Sequence, residues 1–226
     1  VYEEPQQQPG LLKPGTDYII GGLFMLETEN IEEKENGFKN GIADTFSLLK
    51  TVILTFLLML LLTNCVIANA VVPTGSMENT IEPGDRIIGM RFLKNYERGD
   101  IVIFPDPDGS GHYLIKRIIG MPGDRLSLKR DGDTEFASVC INGVKLEEPY
   151  LAERMYCDTA FEDLSITIPE GSYFCMGDNR NHSLDARYWS NKLVSGEDMI
   201  AKAAFCYWPL QDITVFQTPK YSTGQK

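Results

Sequence analysis

The sequence predicts a mainly β protein, an antiparallel β-sheet domain carried on a single N-terminal transmembrane helix. Three observations predict it. Residues 51–72 form an apolar run without a charge, in which Asn64 and Asn69 are the strongly polar members. Beyond residue 85, short β-branched runs alternate with Gly, Pro, Asn and Asp turn signals, as in antiparallel sheet proteins. Asn142-Gly143 stands at the centre of residues 139–146, and this dipeptide is the strongest short hairpin signal.

Composition narrows the function classes. At 226 residues the chain has room for one ordinary domain and extras, and 43% hydrophobic content excludes a wholly disordered protein. The net charge of −11 argues against nucleic acid as a partner, because phosphate binding needs clustered Lys and Arg. Cys65, Cys140, Cys157, Cys175 and Cys206 show no C-x-x-C spacing. Cys65, inside the apolar run, reads as a small hydrophobe, and the pairing of the other four is left open. His112 and His182 are too far apart in sequence to suggest a metal site by spacing.

Residues 1–43 read as a tail. Residues 1–14 are rich in Gln, Pro and Glu, and residues 27–41 are dominated by charge and Asn. Between them, residues 17–26 form a short apolar island to which the sequence assigns no role. The chain opens on Val1, which reads as a removed initiator Met or a fragment.

Asp44 or Thr45 caps a helix that enters the apolar run, and roughly 22 uncharged residues suffice to cross a hydrocarbon core. Ala68-Asn69-Ala70 also fits a signal-peptide cleavage pattern, but the long acidic stretch before it is a poor n-region, so a retained anchor is expected. Lys39 and Lys50 on one side and Arg86 and Arg91 on the other leave orientation open.

Strands are expected at 86–90, 99–104, 113–121, 126–128, 139–146, 173–176, 201–208 and 213–216. Helix is expected only in the membrane.

The chemistry centres on Val72-Pro73-Thr74-Gly75-Ser76-Met77, just past the apolar run. Pro73 stops an arriving helix, and in extended backbone Thr74 and Ser76 point the same way. Lys116 lies in Tyr113-Leu114-Ile115-Lys116-Arg117-Ile118-Ile119, where it shares a strand face with Leu114 and Ile118. If that face is core, the ammonium is desolvated and its pKa falls below about 10.4, so it can take a proton from a serine hydroxyl. A Ser–Lys pair is one way to activate serine without His and Asp. The third piece, residues 177–189, places Asp185 and Arg187 where they can pair and Ser183 where it can orient an amine.

Four blocks in this order, residues 73–77, 99–104, 113–124 and 177–189, resemble the type I signal peptidases of bacteria. The resemblance runs from the membrane helix to about Trp208-Pro209. It implies an antiparallel β-sheet Ser–Lys protease domain on a membrane anchor. Ser76 would be the nucleophile and Lys116 the general base. Thr74 and the Ser76 N–H would form the oxyanion hole, Ser183 would position the amine, and Asp185 with Arg187 would brace the site. No metal or cofactor is implied. The partners implied are exported preproteins with small residues before the cut, and the lipid bilayer.

The implied layout is a cytoplasmic disordered tail at 1–43, a single-pass transmembrane helix at 44–72, a β-rich catalytic domain at 73–218 outside the cytoplasm, and a C-terminal tail at 219–226. Asn79, Asn181, His182, Ala186 and Ser190 depart from the usual family residues without removing a catalytic group. Two alternatives stand beside this reading: a related Ser–Lys protease with a dedicated pilin or conjugation substrate, and a non-enzymatic membrane-anchored β module. Ala68-Asn69-Ala70 would also offer a self-cleavage site after Ala70, and Trp189, Trp208, Phe205 and Tyr207 are core or lipid-facing.

Overall fold

The computed structural model describes residues 16–157 and 164–221, and two units within them. The first is helical. Helix α1 spans Thr16–Leu61, and the stretch Gly37–Val66 is long and apolar enough to cross a membrane. The helix therefore begins well before residue 44, and residues 16–43 are not the disordered tail expected from their composition. No Pro interrupts residues 16–72, so helix propagates outward from the apolar run without a new nucleation cost, aided by a Glu35–Lys39 i,i+4 pair at 3.3 Å. The expected tail at 1–14 lies outside the described residues.

The exit from the helix is also earlier than expected. Asn64 Nδ2 donates to the Leu60 carbonyl at 2.8 Å, Thr63 Oγ1 donates to the same oxygen at 3.3 Å, and Leu62–Val66 widens into a π turn. Residues 67–71, assigned to the transmembrane helix from their hydropathy, instead form strand β1 (Ile67–Val71). It pairs antiparallel with β2 (Arg86–Met90), from Ile67 opposite Met90 to Val71 opposite Arg86.

The remaining strands follow the expected order: β3 (Ile101–Pro105), β4 (Tyr113–Gly120), β5 (Arg125–Arg130), β6 (Phe136–Ile141), β7 (Val144–Lys145), β8 (Met155–Tyr156), β9 (Ser165–Thr167), β10 (Ser172–Met176), β11 (Val194–Ser195), β12 (Ala201–Trp208) and β13 (Thr214–Val215). Among the described residues they build an eight-stranded sheet, in the order β1-β2-β12-β3-β4-β10-β11 with β13 on β12. A second, five-stranded sheet has the order β7-β6-β5-β9 with β8 on β6. Every pairing is antiparallel. The Asn142-Gly143 turn joins β6 to β7 with φ of 52° and 86°, the left-handed pair that matches the twist of a tight hairpin.

Strand β3 shows how the core is split. Val102 and Phe104 enter a large cluster with Leu126, Val139 and Ile141 of the smaller sheet. Ile101 and Ile103 enter a second cluster with Met77, Ile87 and Ala203. A strand buried on both faces sends alternate residues to the two sides. The β4 face expected for Lys116 is observed: Leu114 packs against the large cluster, Ile118 belongs to it, and Lys116 sits opposite Val102.

Trp189 is core and meets the Phe104 ring edge-on at 5.9 Å, whereas Trp208 is 48% exposed. All five cysteines are free thiols. At the C-terminus, Tyr221 is buried in the large cluster, so the expected tail is docked at least that far; residues 222–226 lie outside the described ones.

Candidate active site

The turn that carries Ser76 is shaped by its neighbours in sequence. Thr74 is extended, and Gly75–Met77 coils into one 3₁₀ turn, so Thr74 and Ser76 are not the alternating extended pair that the sequence suggests. Met77 drops into the second core cluster and its carbonyl accepts the N–H groups of Thr80 and Ile81 at 3.0 and 2.8 Å. Ser76 stays half-buried and Thr74 exposed at the rim of a cleft of about 660 Å³.

Lys116 enters the cleft from β4 and donates to Ser76 Oγ at 2.7 Å and to the Ile115 carbonyl at 3.2 Å. It is 3% exposed and no carboxylate pairs with it among the described residues. Burial pushes its pKa below the ordinary lysine value, against weaker opposing fields from Asp185, Cys175, Asp178 and Asp106. Burial also raises the Cys175 thiol strongly, so it is a neutral neighbour and not a counter-ion.

Residues 177–187 close over the turn. A Cβ on Gly177 would lie 2.3 Å from the Ser76 carbonyl oxygen and 2.2 Å from Ser183 Oγ, so only glycine lets the two segments meet. The Asn179 N–H donates to the Ser76 carbonyl at 3.2 Å, and Asn179 Nδ2 donates to Gly75 O at 3.0 Å and Glu78 Oε2 at 2.8 Å. Asp185 and Arg187 pair as expected, at 2.8 and 2.9 Å in a two-pronged bridge, and Asp185 Oδ2 also accepts the Gly177 N–H at 3.0 Å. Burial opposes ionisation of Asp185, but the Arg187 bonds and the Gly177 N–H outweigh it and hold the carboxyl below its usual range.

Ser183 differs from expectation. Its Oγ is buried beside the Asp185 carboxylate, which it helps hold ionised, and the Lys116 amine donates to Ser76 and Ile115 instead. Sequence reasoning also passed over Arg117 and Asp178. Arg117 is buried and donates to both Asp178 oxygens at 2.8 and 2.5 Å and to Gly99 O at 2.7 Å. Thr80 Oγ1 adds a 2.6 Å bond to Asp178 Oδ2. The available signal was an arginine flanked by Lys116 and Ile118 in a strand otherwise bound for the core, which demands a buried carboxylate.

Two departures from the family pattern have local explanations. Asn79 adopts φ of 77°, which proline cannot, and its Nδ2 donates to Tyr150 O at 2.8 Å. Asn181 ties the block to residues 153–156, donating to Glu153 Oε1 and Arg154 O and accepting the Tyr156 N–H. Ala68-Asn69-Ala70 lies inside the β1–β2 ladder, so cutting after Ala70 would first require β1 to leave the sheet.

The family model described as signal peptidase, peptidase S26, matches residues 45–208. A signal peptidase I of Bacillus licheniformis is 33% identical over 191 residues, covering 80% of this chain and 97% of that protein. A probable signal peptidase I-2 of Synechocystis is 32% identical, covering 81% of this chain and 83% of that one. A crystal structure of a signal peptidase I from Enterococcus faecalis is 33% identical, covers 48% of this chain and 96% of that chain, and has a TM-score of 0.37. The family model and the two similar proteins settle the family: the chain belongs to the signal peptidase family, peptidase S26.

Proposed function

We propose that this membrane-anchored serine endopeptidase cleaves signal peptides from exported preproteins with Ser76 as nucleophile and Lys116 as general base. The observation that carries the reading is the 2.7 Å contact between Lys116 Nζ and Ser76 Oγ in a site that desolvates the amine. Neutral Lys116 takes the Ser76 proton while Oγ attacks the scissile carbonyl. Thr74 Oγ1 and the Ser76 N–H donate to the oxyanion. The C–N bond breaks as Lys116 passes its proton to the departing amine. Lys116 then deprotonates a water that attacks the acyl ester and returns Ser76. Ser183, buried beside Gly177, positions the amine once substrate fills the cleft, and the Asp185–Arg187 bridge braces that loop.

The substrate binds extended. Among the described residues, 113–116 of β4 pair on one edge with β3 and β1 pairs with β2 alone, so both offer backbone groups toward the same cleft. In an extended peptide the first and third residues before the cut point the same way. Both meet a floor built from Val72, Met77, Ile103 and Ile115, which favours small side chains.

The apolar stretch Gly37–Val66 anchors the enzyme, with the N-terminus in the cytoplasm and the β domain on the outer side, where preproteins emerge. Cleavage of a preprotein by wild type, Ser76→Ala and Lys116→Ala chains in detergent tests the assignment; turnover surviving either change would overturn it.

Trp208, Leu210, Ile213 and Val215 are exposed around β12 and β13, and this apolar edge rests on lipid. Vesicles with bromine-labelled acyl chains should quench wild-type tryptophan emission, and Trp208→Phe should remove most of that quenching. Equal quenching in both chains would reject the contact.

A further inference from the structure

Residues 218–221 have no part in the reaction derived above, yet they are seated against the backbone that holds the nucleophile turn. Gly99 accepts the Arg117 Nη1 bond through its carbonyl. On its other side it admits the C-terminal segment. A Cβ on Gly99 would lie 2.7 Å from Pro219 Cδ and 2.9 Å from the Tyr221 hydroxyl, and its φ of +92° is one that glycine adopts freely. Thr218 Oγ1 donates at 2.7 Å to Oδ1 of the adjacent Asp100, which Lys202 Nζ also meets at 2.8 Å. Tyr221 is 8% exposed. The Tyr150 ring covers the Arg117 guanidinium at 4.1 Å, and burial raises the Tyr221 hydroxyl pKa against the opposing effects of Tyr150 and the Arg117 charge.

We propose that residues 218–221 are a strap that positions the Ser76 turn through Arg117, with Tyr221 as its positioning residue. The chain of contacts is continuous. Tyr221 and Pro219 fix Gly99, Gly99 and Asp178 fix Arg117, and Asn179, next to Asp178, bonds the carbonyls of Gly75 and Ser76. The Tyr221 hydroxyl is buried near Tyr150 and the ring edge lies against Gly99, so the ring carries most of the seating. Without the ring, water reaches the Arg117–Asp178 pair and weakens it by raising the local dielectric. The turn then samples geometries in which Ser76 Oγ and Lys116 Nζ are misaligned, and displacements of an ångström are costly in rate.

The inference rests on the Ser76–Lys116 assignment, and the test separates the two. Full-length wild type, Tyr221→Ala, Tyr221→Leu, Tyr221→Phe and Ser76→Ala chains are compared in detergent on one preprotein, with kcat, KM, the pH profile and thermal melting recorded. Tyr221→Ala should lower kcat about tenfold. KM should stay within about twofold, because the cleft is untouched. The midpoint of the rising pH limb should shift. Tyr221→Leu should fall between, and Tyr221→Phe should restore wild-type turnover.

A folded Tyr221→Ala chain with wild-type kcat and pH midpoint would overturn the strap, as would a Phe variant as impaired as Ala. If the Ala chain does not fold, wild-type kcat in the Leu chain overturns it equally. Cleavage by Ser76→Ala would instead refute the nucleophile assignment.

Discussion

Replacing Ser76 by Ala should lower preprotein turnover by at least about 10⁴-fold, since the residual rate of a serine enzyme without its nucleophile comes only from binding and the oxyanion hole. Lys116→Ala should cost about 10²–10⁴-fold, the range supplied by a positioned general base. The two losses should not add, because nucleophile and base act as one unit. Lys116→Arg should be as inactive as Lys116→Ala, because guanidinium keeps its proton.

The pH profile carries the sharper information. Burial lowers the Lys116 pKa, so kcat/KM should rise as pH climbs through a midpoint below the ordinary value of about 10.4. The linkage has a definite sign. Between the lowered folded pKa and the ordinary value, the unfolded chain holds the proton and the folded chain does not. Stability therefore rises with pH across that window, and the cost of burying the ammonium is felt in full only below it. Lys116→Met should remove this slope while abolishing turnover. A pH-independent kcat/KM in wild type, or an unchanged stability slope in Lys116→Met, would contradict a desolvated amine.

Arg117→Ala is expected to destabilise the catalytic domain by about 3–5 kcal/mol, the usual cost of stranding one member of a buried ion pair. In a domain of this size that corresponds to a melting temperature lower by about 6–20 °C. The asymmetry of the pair explains the size. Among the described residues Asp178 would keep the Thr80 hydroxyl as its one side-chain donor, and its carboxylate is buried. Arg117→Lys should lie between wild type and Ala, because an ammonium cannot reproduce the two-pronged contact and the Gly99 bond together. Replacing both partners, Arg117→Met with Asp178→Leu, should cost less than Arg117→Ala alone, since no uncompensated charge remains. Melting of Arg117→Ala within a degree or so of wild type would show that the pair does not hold this part of the fold. Turnover should fall along with stability, because Asn179 clamps the Ser76 turn from the position next to Asp178.

Much of this was legible in the residues themselves. Strand runs such as Arg86–Met90 and Ala201–Trp208 fall where alternation and β-branching put them, and Asn142-Gly143 marks its hairpin because few other dipeptides accept two left-handed residues. Ser76, Lys116 and the Asp185–Arg187 bridge were readable because their chemistry depends on residue type and short spacing. The apolar run was readable as a span, but its end was not. Ile67–Val71 is as hydrophobic as a membrane helix, and hydropathy does not distinguish lipid from a partner strand 15 to 23 residues away. Short strands such as β8, β9 and β11 escaped for a related reason, since two or three residues carry no period.

What the sequence determined by itself is therefore the class of the protein, an apolar anchor and an antiparallel β domain, together with the serine and the lysine proposed as its reactive pair. What the tertiary structure alone decided is proximity and burial. It brings Lys116 to a serine 40 residues away and strips the amine of water. It gives Arg117 its carboxylate from 61 residues on, buries Ser183 Oγ beside Asp185, and folds Tyr221 back against Gly99. The physical reason is the same in each case. Local propensity acts over a few residues, whereas the solvation of a charge is set by whatever the rest of the chain packs around it.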